Sequence, residues 1–263
     1  MCIRDSDYIG EASIGWCGYP LDKRIFPWNH ANCGDLNLSG ERRPQSYLRE
    51  TLWSDAPVSH IVVTPPVPSF PLNPDKADWS VWDFPDVVDH WNFPGYEGKK
   101  MTVSVYSNCE QVELFLNGES LGKQENTADK KNTLVWEVPY AHGILKAVSY
   151  NKGGEVGTAT LESAGKVEKI RLSADRMEIV ADGNDLSYIT LELVDSKGIR
   201  NQLAEELVEF SIEGDATIEG VGNANPMSIE SFVANSRKTW RGSNLLVVRS
   251  GKSSGRIIVT AKV

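Results

Sequence analysis

Apolar and polar residues alternate with a period of two through "MTVSVYS" at 101–107, the pattern of a strand with one buried face. The next run, "VELFLNGESLGK", reads as a strand, an Asn117-Gly118 turn and a return strand. Asn-Gly is the strongest short hairpin signal, because both positions tolerate a positive φ. "TLVWEV", "GILKAVSY" and "VGTATLE" follow at the spacing of a small β-sandwich. From Val167 the style repeats in "VEKIRLSA", "SYITLELVD", "LVEFSIEG", "NLLVVRS" and "GRIIVTAKV", with turn chemistry at "ADGND" and "DSKG". A second sandwich is predicted, with Ala164 to Val167 as a short linker.

Upstream of both sandwiches the period changes. In "RRPQSYLRETLWS", Pro44 suits the first turn of a helix, and Tyr47, Leu48, Thr51 and Leu52 recur at helical spacing. "PVSHIVVTPPVPSFPLNPD" then holds six prolines, which exclude a helix and demand an extended path. A boundary near Ala56 follows. The expected organisation is residues 1–56, a β-sandwich at 57–163 and a second at 164–263.

Composition changes this picture only by exclusion. The chain has 263 residues, 40 % hydrophobic and 24 % charged, enough to build ordinary cores. Twenty-seven basic against 36 acidic residues give a net charge of −9, with no basic cluster. A nucleic-acid backbone or anionic membrane surface is repelled by such a surface, so neither is expected as a partner. No apolar run reaches the ~18 residues of a membrane span. "MCIRDS" has neither the basic nor the apolar region of a signal peptide. Cys2, Cys17, Cys33 and Cys109 form no C-x-x-C pair, so zinc and dithiol chemistry are not expected, and a Cys17–Cys33 bridge stays open. No metal or cofactor is implied. "GVGNANP" lacks the Lys-Ser/Thr ending of a phosphate cradle, and no G-x-S-x-G or H-E-x-x-H occurs.

Two stretches are chemically suggestive. "ADWSVWDFPDVVDHWNFPG" gathers Trp79, Trp82, His90 and Trp91. Exposed aromatic rings stack on sugars, so Trp79, Trp82 and Trp91 are candidates for carbohydrate stacking. The competing and favoured reading is packing of a long loop, because aromatic side chains carry large buried area. His90 reads as a hydrogen-bonded core partner rather than a metal ligand. In "GVGNANPMSIESF", Gly220, Gly222 and Asn223 permit tight turns beside Glu230 and Ser231. A structured connecting loop is favoured there over a docking or sugar-binding loop.

"DYIGEA", then "CGDLNLSG", then "RRPQSYLRETLW" resemble the end of the catalytic (β/α)8 barrel of glycoside hydrolase family 2. "HWNFPGYEGKKMTVSVYSNCEQVELFLNGESLG" resembles a sandwich that follows the barrel in β-galactosidase-like members. "GVGNANPMSIESF" resembles a motif of their C-terminal Ig-like domain. The resemblance implies a mainly β chain: two Ig-like β-sandwich domains preceded by the last strand, loop and helix of a truncated (β/α)8 barrel. Asp7 to Glu11 would end the eighth strand, the loop to Gly40 would lie over the active-site face, and Pro44 to Trp53 would be the last helix. Barrel active sites are built from such loops.

The resemblance also implies the chemistry. The parent protein would hydrolyse a terminal neutral β-glycoside, a β-galactoside for example, with retention, using two glutamates expected upstream of Asp7. The chain alone would then be inactive, and its substrate would be met through the rest of the barrel. A periplasmic or secreted bacterial location goes with this. Asp35 falls where relatives place a sugar-contacting side chain, and Asp7 and Glu11 are weaker candidates for substrate binding. A salt bridge closing the barrel suits Asp7 or Glu11 equally well. Glucuronidases carry an Asn-x-Lys motif in this region, whereas here the text is Cys33-Gly34-Asp35. A carboxylate repels an acidic sugar and accepts hydrogen bonds from the hydroxyls of a neutral one. The alternative for Asp35 is a plain Asx turn before Leu36. The alternative for the whole chain is a non-catalytic carbohydrate-binding or structural module.

Overall fold

A computed structural model describes Pro27, residues 34–70 and residues 85–263. It is mainly β, and it falls into two compact units, the first ending at Ser163 and the second spanning Ala164–Val263.

The first unit opens with helix α1 (Ser46–Trp53) and seven strands: β1 (Ser59–Val63), β2 (Lys100–Ser107), β3 (Gln111–Leu116), β4 (Glu119–Glu125), β5 (Thr133–Pro139), β6 (Ile144–Asn151) and β7 (Gly154–Glu162). They form two antiparallel sheets, ordered β1-β2-β5 and β4-β3-β6-β7. The period-two pattern is realised directly. Met101, Val103 and Val105 of β2 and Leu134, Trp136 and Val138 of β5 turn inward against Val112, Leu114, Leu145 and Ala147 of the other sheet. Asn117 and Gly118 have φ of 51° and 88°, so the β3–β4 hairpin uses both positive-φ positions that Asn-Gly supplies. β1 lies inside the proline-rich stretch: its five residues "SHIVV" pair with β2 where no proline interrupts.

Helix α1 begins at Ser46 rather than at Pro44, with Gln45 as its N-cap residue. Tyr47 and Leu48 pack on Val62, Val87 and Tyr106. Side chains of the sandwich also hold the helix: Asn132 Nδ2 donates to Thr51 Oγ1 at 3.0 Å, and Asn108 Nδ2 donates to Ser54 O at 2.9 Å. The helix and its preceding loop therefore belong to the first unit's packing. Leu52, placed by spacing on the apolar face, is instead 63 % exposed, as is its neighbour Trp53 at 65 %. The reading of Asp7 to Glu11 as a barrel strand lies outside the described residues.

The second unit has the strands β8 (Lys169–Ala174), β9 (Leu186–Val194), β10 (Leu207–Glu213), β11 (Ala216–Gly222), β12 (Ser236–Lys238), β13 (Ser243–Ser250) and β14 (Ile258–Lys262). Its antiparallel sheets run β11-β13-β9-β8 and β12-β10-β14. Ile189, Leu191 and Leu193 alternate along β9 and meet Val208, Phe210, Val221, Leu246 and Val248 in one core. Asp195, buried just after β9, accepts backbone N–H bonds from Gly165, Lys197 and Ile199 at 2.8, 3.0 and 2.9 Å. One carboxylate thus closes the "DSKG" turn and fixes the start of the unit.

Candidate functional site

The sequence Gly34–Arg43 folds as a tight loop whose ends meet in an isolated antiparallel bridge between Leu36 and Arg42. Asn37 organises it. Its Oδ1 accepts the backbone N–H of Ser39 at 2.9 Å and of Glu41 at 3.0 Å, and its Nδ2 donates to Glu41 Oε2 at 3.1 Å. This is an Asx turn in which one amide satisfies the loop's own backbone. Gly40, at φ 76°, completes the reversal in a conformation that L side chains rarely adopt.

Asp35 lies at the base of this loop. Its backbone carbonyl accepts the Arg43 N–H at 2.8 Å, and its carboxylate pairs with Arg49 of α1 at 3.5 Å. The side chain is largely covered, at 17 % exposure. Arg42 pairs with Glu50 at 2.7 Å and donates through Nε to Ser46 Oγ at 3.0 Å. Its guanidinium lies 3.9 Å from the centre of the Tyr47 ring, and that ring stacks on His60 of β1 at 3.5 Å and 11°. Burial, with Arg42 adding to it against Asp89 and Glu50, pushes His60 down to about 4. The imidazole is therefore neutral at ordinary pH.

The other candidates separate. Asp7, Glu11, Trp79 and Trp82 lie outside the described residues. Trp91 is a correction: it is fully buried, so it offers no ring face to a sugar. Its Nε1–H donates to Ala141 O at 2.8 Å, and it makes edge contacts with Phe93 and Tyr140. His90 accepts the Asn92 N–H through Nδ1 at 3.2 Å and leans on Phe93. Among the described residues, no group of three or more His, Cys, Asp or Glu is placed to hold a metal ion.

The stretch "GVGNANPMSIESF" is wrapped around Arg237, a buried cation of β12. Arg237 donates to Val221 O and Glu230 O at 3.2 Å and to Ser228 Oγ at 3.0 Å, and its guanidinium covers the Phe232 ring. Gly220 and Gly222 belong to β11 rather than to the loop. Sequence reasoning missed Asn37, His60 and Arg237. Asn37 did carry a signal, an Asn two residues before Ser39-Gly40. His60 carried none, because its partners come from other elements, and Arg237 carried none, because nothing in the sequence marks which side of β12 is buried.

Comparison with known proteins places these parts. Residues 170–263 match the family "Glycoside hydrolase family 2 C-terminal domain 5", and residues 98–157 match "Domain of unknown function (DUF4982)". Beta-galactosidase BoGH2A of Bacteroides ovatus is 30 % identical over 98 % of this chain, which spans 28 % of its length. A putative beta-glucuronidase of Formosa agariphila is 28 % identical over 84 % of the chain, which spans 18 % of its length. The crystal structure of a glycosyl hydrolase family 2 member from Bacteroides cellulosilyticus superposes with a TM-score of 0.91. It is 99 % identical over 95 % of this chain, which covers 32 % of that protein. The chain belongs to glycoside hydrolase family 2 and corresponds to the C-terminal portion of its longer members.

Proposed function

We propose that the longer protein to which this chain corresponds is a retaining β-glycosidase acting on terminal neutral glycosides, β-galactosides first among them. The observation that carries the reading is the likeness to a β-galactosidase along nearly the whole chain. Relatives named for glucuronides also match, so the choice of sugar rests on the loop. There Asp35 is paired with Arg49 and Arg42 with Glu50. Each of these two guanidiniums already faces a carboxylate, which weakens its pull on the carboxylate of an acidic sugar. Asp35, held by Arg49 and largely covered, sets the negative charge at the base of the loop. These two pairings support a neutral glycone.

In this proposal the chain supports the site and does not carry the bond cleavage. Retaining hydrolysis needs two carboxyl groups ~5–5.5 Å apart, one of them raised in pKa to deliver a proton. Among the described residues every carboxyl with a resolved shift moves the other way. Asp129, Asp175, Asp182, Asp185, Asp195, Asp215 and Glu219 are all lowered, chiefly by hydrogen-bond donors. Such groups stay ionised at neutral pH and make poor acids. The test is a panel of nitrophenyl glycosides offered to a longer polypeptide ending in this sequence, with the first-formed anomer read by NMR. β-Galactoside cleavage with retention is expected, and a preference for the β-glucuronide would contradict the neutral-sugar reading.

A further inference from the structure

His60 sits in β1, the edge strand of its sheet, paired with Tyr106 of β2. It is the base of a stack that leads out of the sandwich: imidazole, Tyr47 ring, Arg42 guanidinium. Arg42 is the residue that closes the Gly34–Arg43 loop through its bridge with Leu36, next to Asp35. Two observations favour the ring's face over its Nε2 as the working part. The parallel stacking at 3.5 Å uses the face fully. Buried Nε2 has no hydrogen-bond partner among the described residues, which a ring kept for its polar atoms would not tolerate.

We propose that His60 is a positioning residue for the sugar-facing loop, holding Asp35 in place by stacking through Tyr47 onto Arg42. The inference rests on the reading of that loop given under the proposed function. Its physical content is that a planar cation on an aromatic face is fixed in two directions, and salt bridges fix the third. Arg42 has all three: the Tyr47 face, Glu50 and Ser46. Removing the imidazole frees Tyr47 to tilt into the vacated space, and Arg42 then loses its platform. The helix itself stays seated, because Thr51 is held by Asn132, Ser54 by Asn108 and Gln45 by Pro85 O. The loop is therefore loosened without unseating the unit.

The experiment compares His60→Ala and His60→Phe, both in this chain and in a longer polypeptide that ends in it. In this chain, hydrogen exchange at Leu36–Arg42 should quicken several-fold in His60→Ala and stay at the parent rate in His60→Phe, with β2 and β5 unchanged in both. In the longer polypeptide, His60→Ala should raise KM for the nitrophenyl β-galactoside about three- to tenfold, the worth of one aromatic contact. The kcat should change less than twofold, and His60→Phe should restore KM. Equal loss in His60→Phe would show that the ring nitrogens matter and overturn the proposal. Unchanged KM in His60→Ala, with the parent polypeptide active, would also overturn it. A parent that cleaves no β-glycoside while the exchange result holds would overturn the site reading instead and leave His60 as an anchor of the loop only.

Discussion

Replacing Asp195 by Asn should weaken the second unit by an amount that depends on pH. The carboxylate is 4 % exposed and faces three backbone N–H groups, from Gly165, Ile199 and Lys197. Gly165 approaches Oδ2 while Lys197 and Ile199 share Oδ1, so both oxygens are needed as acceptors. Asparagine supplies one acceptor oxygen. Its NH2 must then point at the donors of one side, most economically at the Gly165 N–H. Losing one charge-assisted bond and leaving that buried N–H unmet costs about 1–3 kcal/mol. For a unit of this size that lowers the midpoint by roughly 5–15 °C at pH 7.

The pH dependence fixes the sign. The Gly165 N–H holds the Asp195 carboxyl below its ordinary range, burial opposes this, and the Ile199 and Lys197 donors add to the lowering. A depressed folded pKa contributes stability that is full above the unfolded value near 3.8 and is lost as pH falls through the folded one. The parent and Asp195→Asn melting temperatures should therefore differ most at pH 6–7, and the gap should narrow as pH falls below the unfolded value near 3.8. Differential scanning calorimetry across that range reads the gap directly. A gap that is absent at pH 7, or that stays constant down to pH 2.5, would refute the account of this carboxylate.

Three further outcomes are expected. Gly143→Ala places a Cβ 1.9 Å from Asn117 Oδ1 at φ +140°, so it should displace the side chain that holds the β6 start and lower the first unit's stability by about 1–3 kcal/mol, read by urea melting. Arg237→Leu leaves Val221 O, Glu230 O and Ser228 Oγ without their donor, which should cost about 3 kcal/mol and quicken exchange across residues 223–235. Limited trypsin digestion should cut after exposed Lys166 or Lys169 and release a resistant piece beginning at Val167 or Ile170. Cleavage scattered through β9 would instead mean that the second unit does not hold together alone.

Most strands were legible because their apolar residues alternate and their turns carry Asn-Gly or Asp-Gly chemistry, as in β2 to β7 and β9. The less legible elements each break that pattern for a physical reason. β11 contains Gly220 and Gly222 and a register shift between Ile218 and Gly220, so it reads as loop. β12 is three residues long and buries an arginine where alternation would place an apolar side chain. β1 hides between prolines that punctuate the chain without entering the strand. Within the candidate site, charge and loop position drew attention to Asp35, yet Asn37 builds the loop and Arg49 engages Asp35. Trp91 is buried, in line with the favoured packing reading and against the stacking one, because composition marks an aromatic cluster but does not say which faces are covered. His60 and Arg42 are joined through Tyr47 only because β1 and α1 pack together, a fact of tertiary structure that no local window contains.

The central claim is that this chain supports a glycosidase site without performing the cleavage, and a nitrophenyl β-galactoside assay of the purified chain at high concentration tests it most directly. Losing the orientation that a complete pocket provides removes roughly 7–11 kcal/mol of barrier lowering, enough to take turnover below detection. The account predicts no hydrolysis above buffer, while a longer polypeptide ending in the same sequence turns the substrate over. Activity that persists through purification of the chain and disappears in a Glu11→Gln, Asp35→Asn double variant would contradict it.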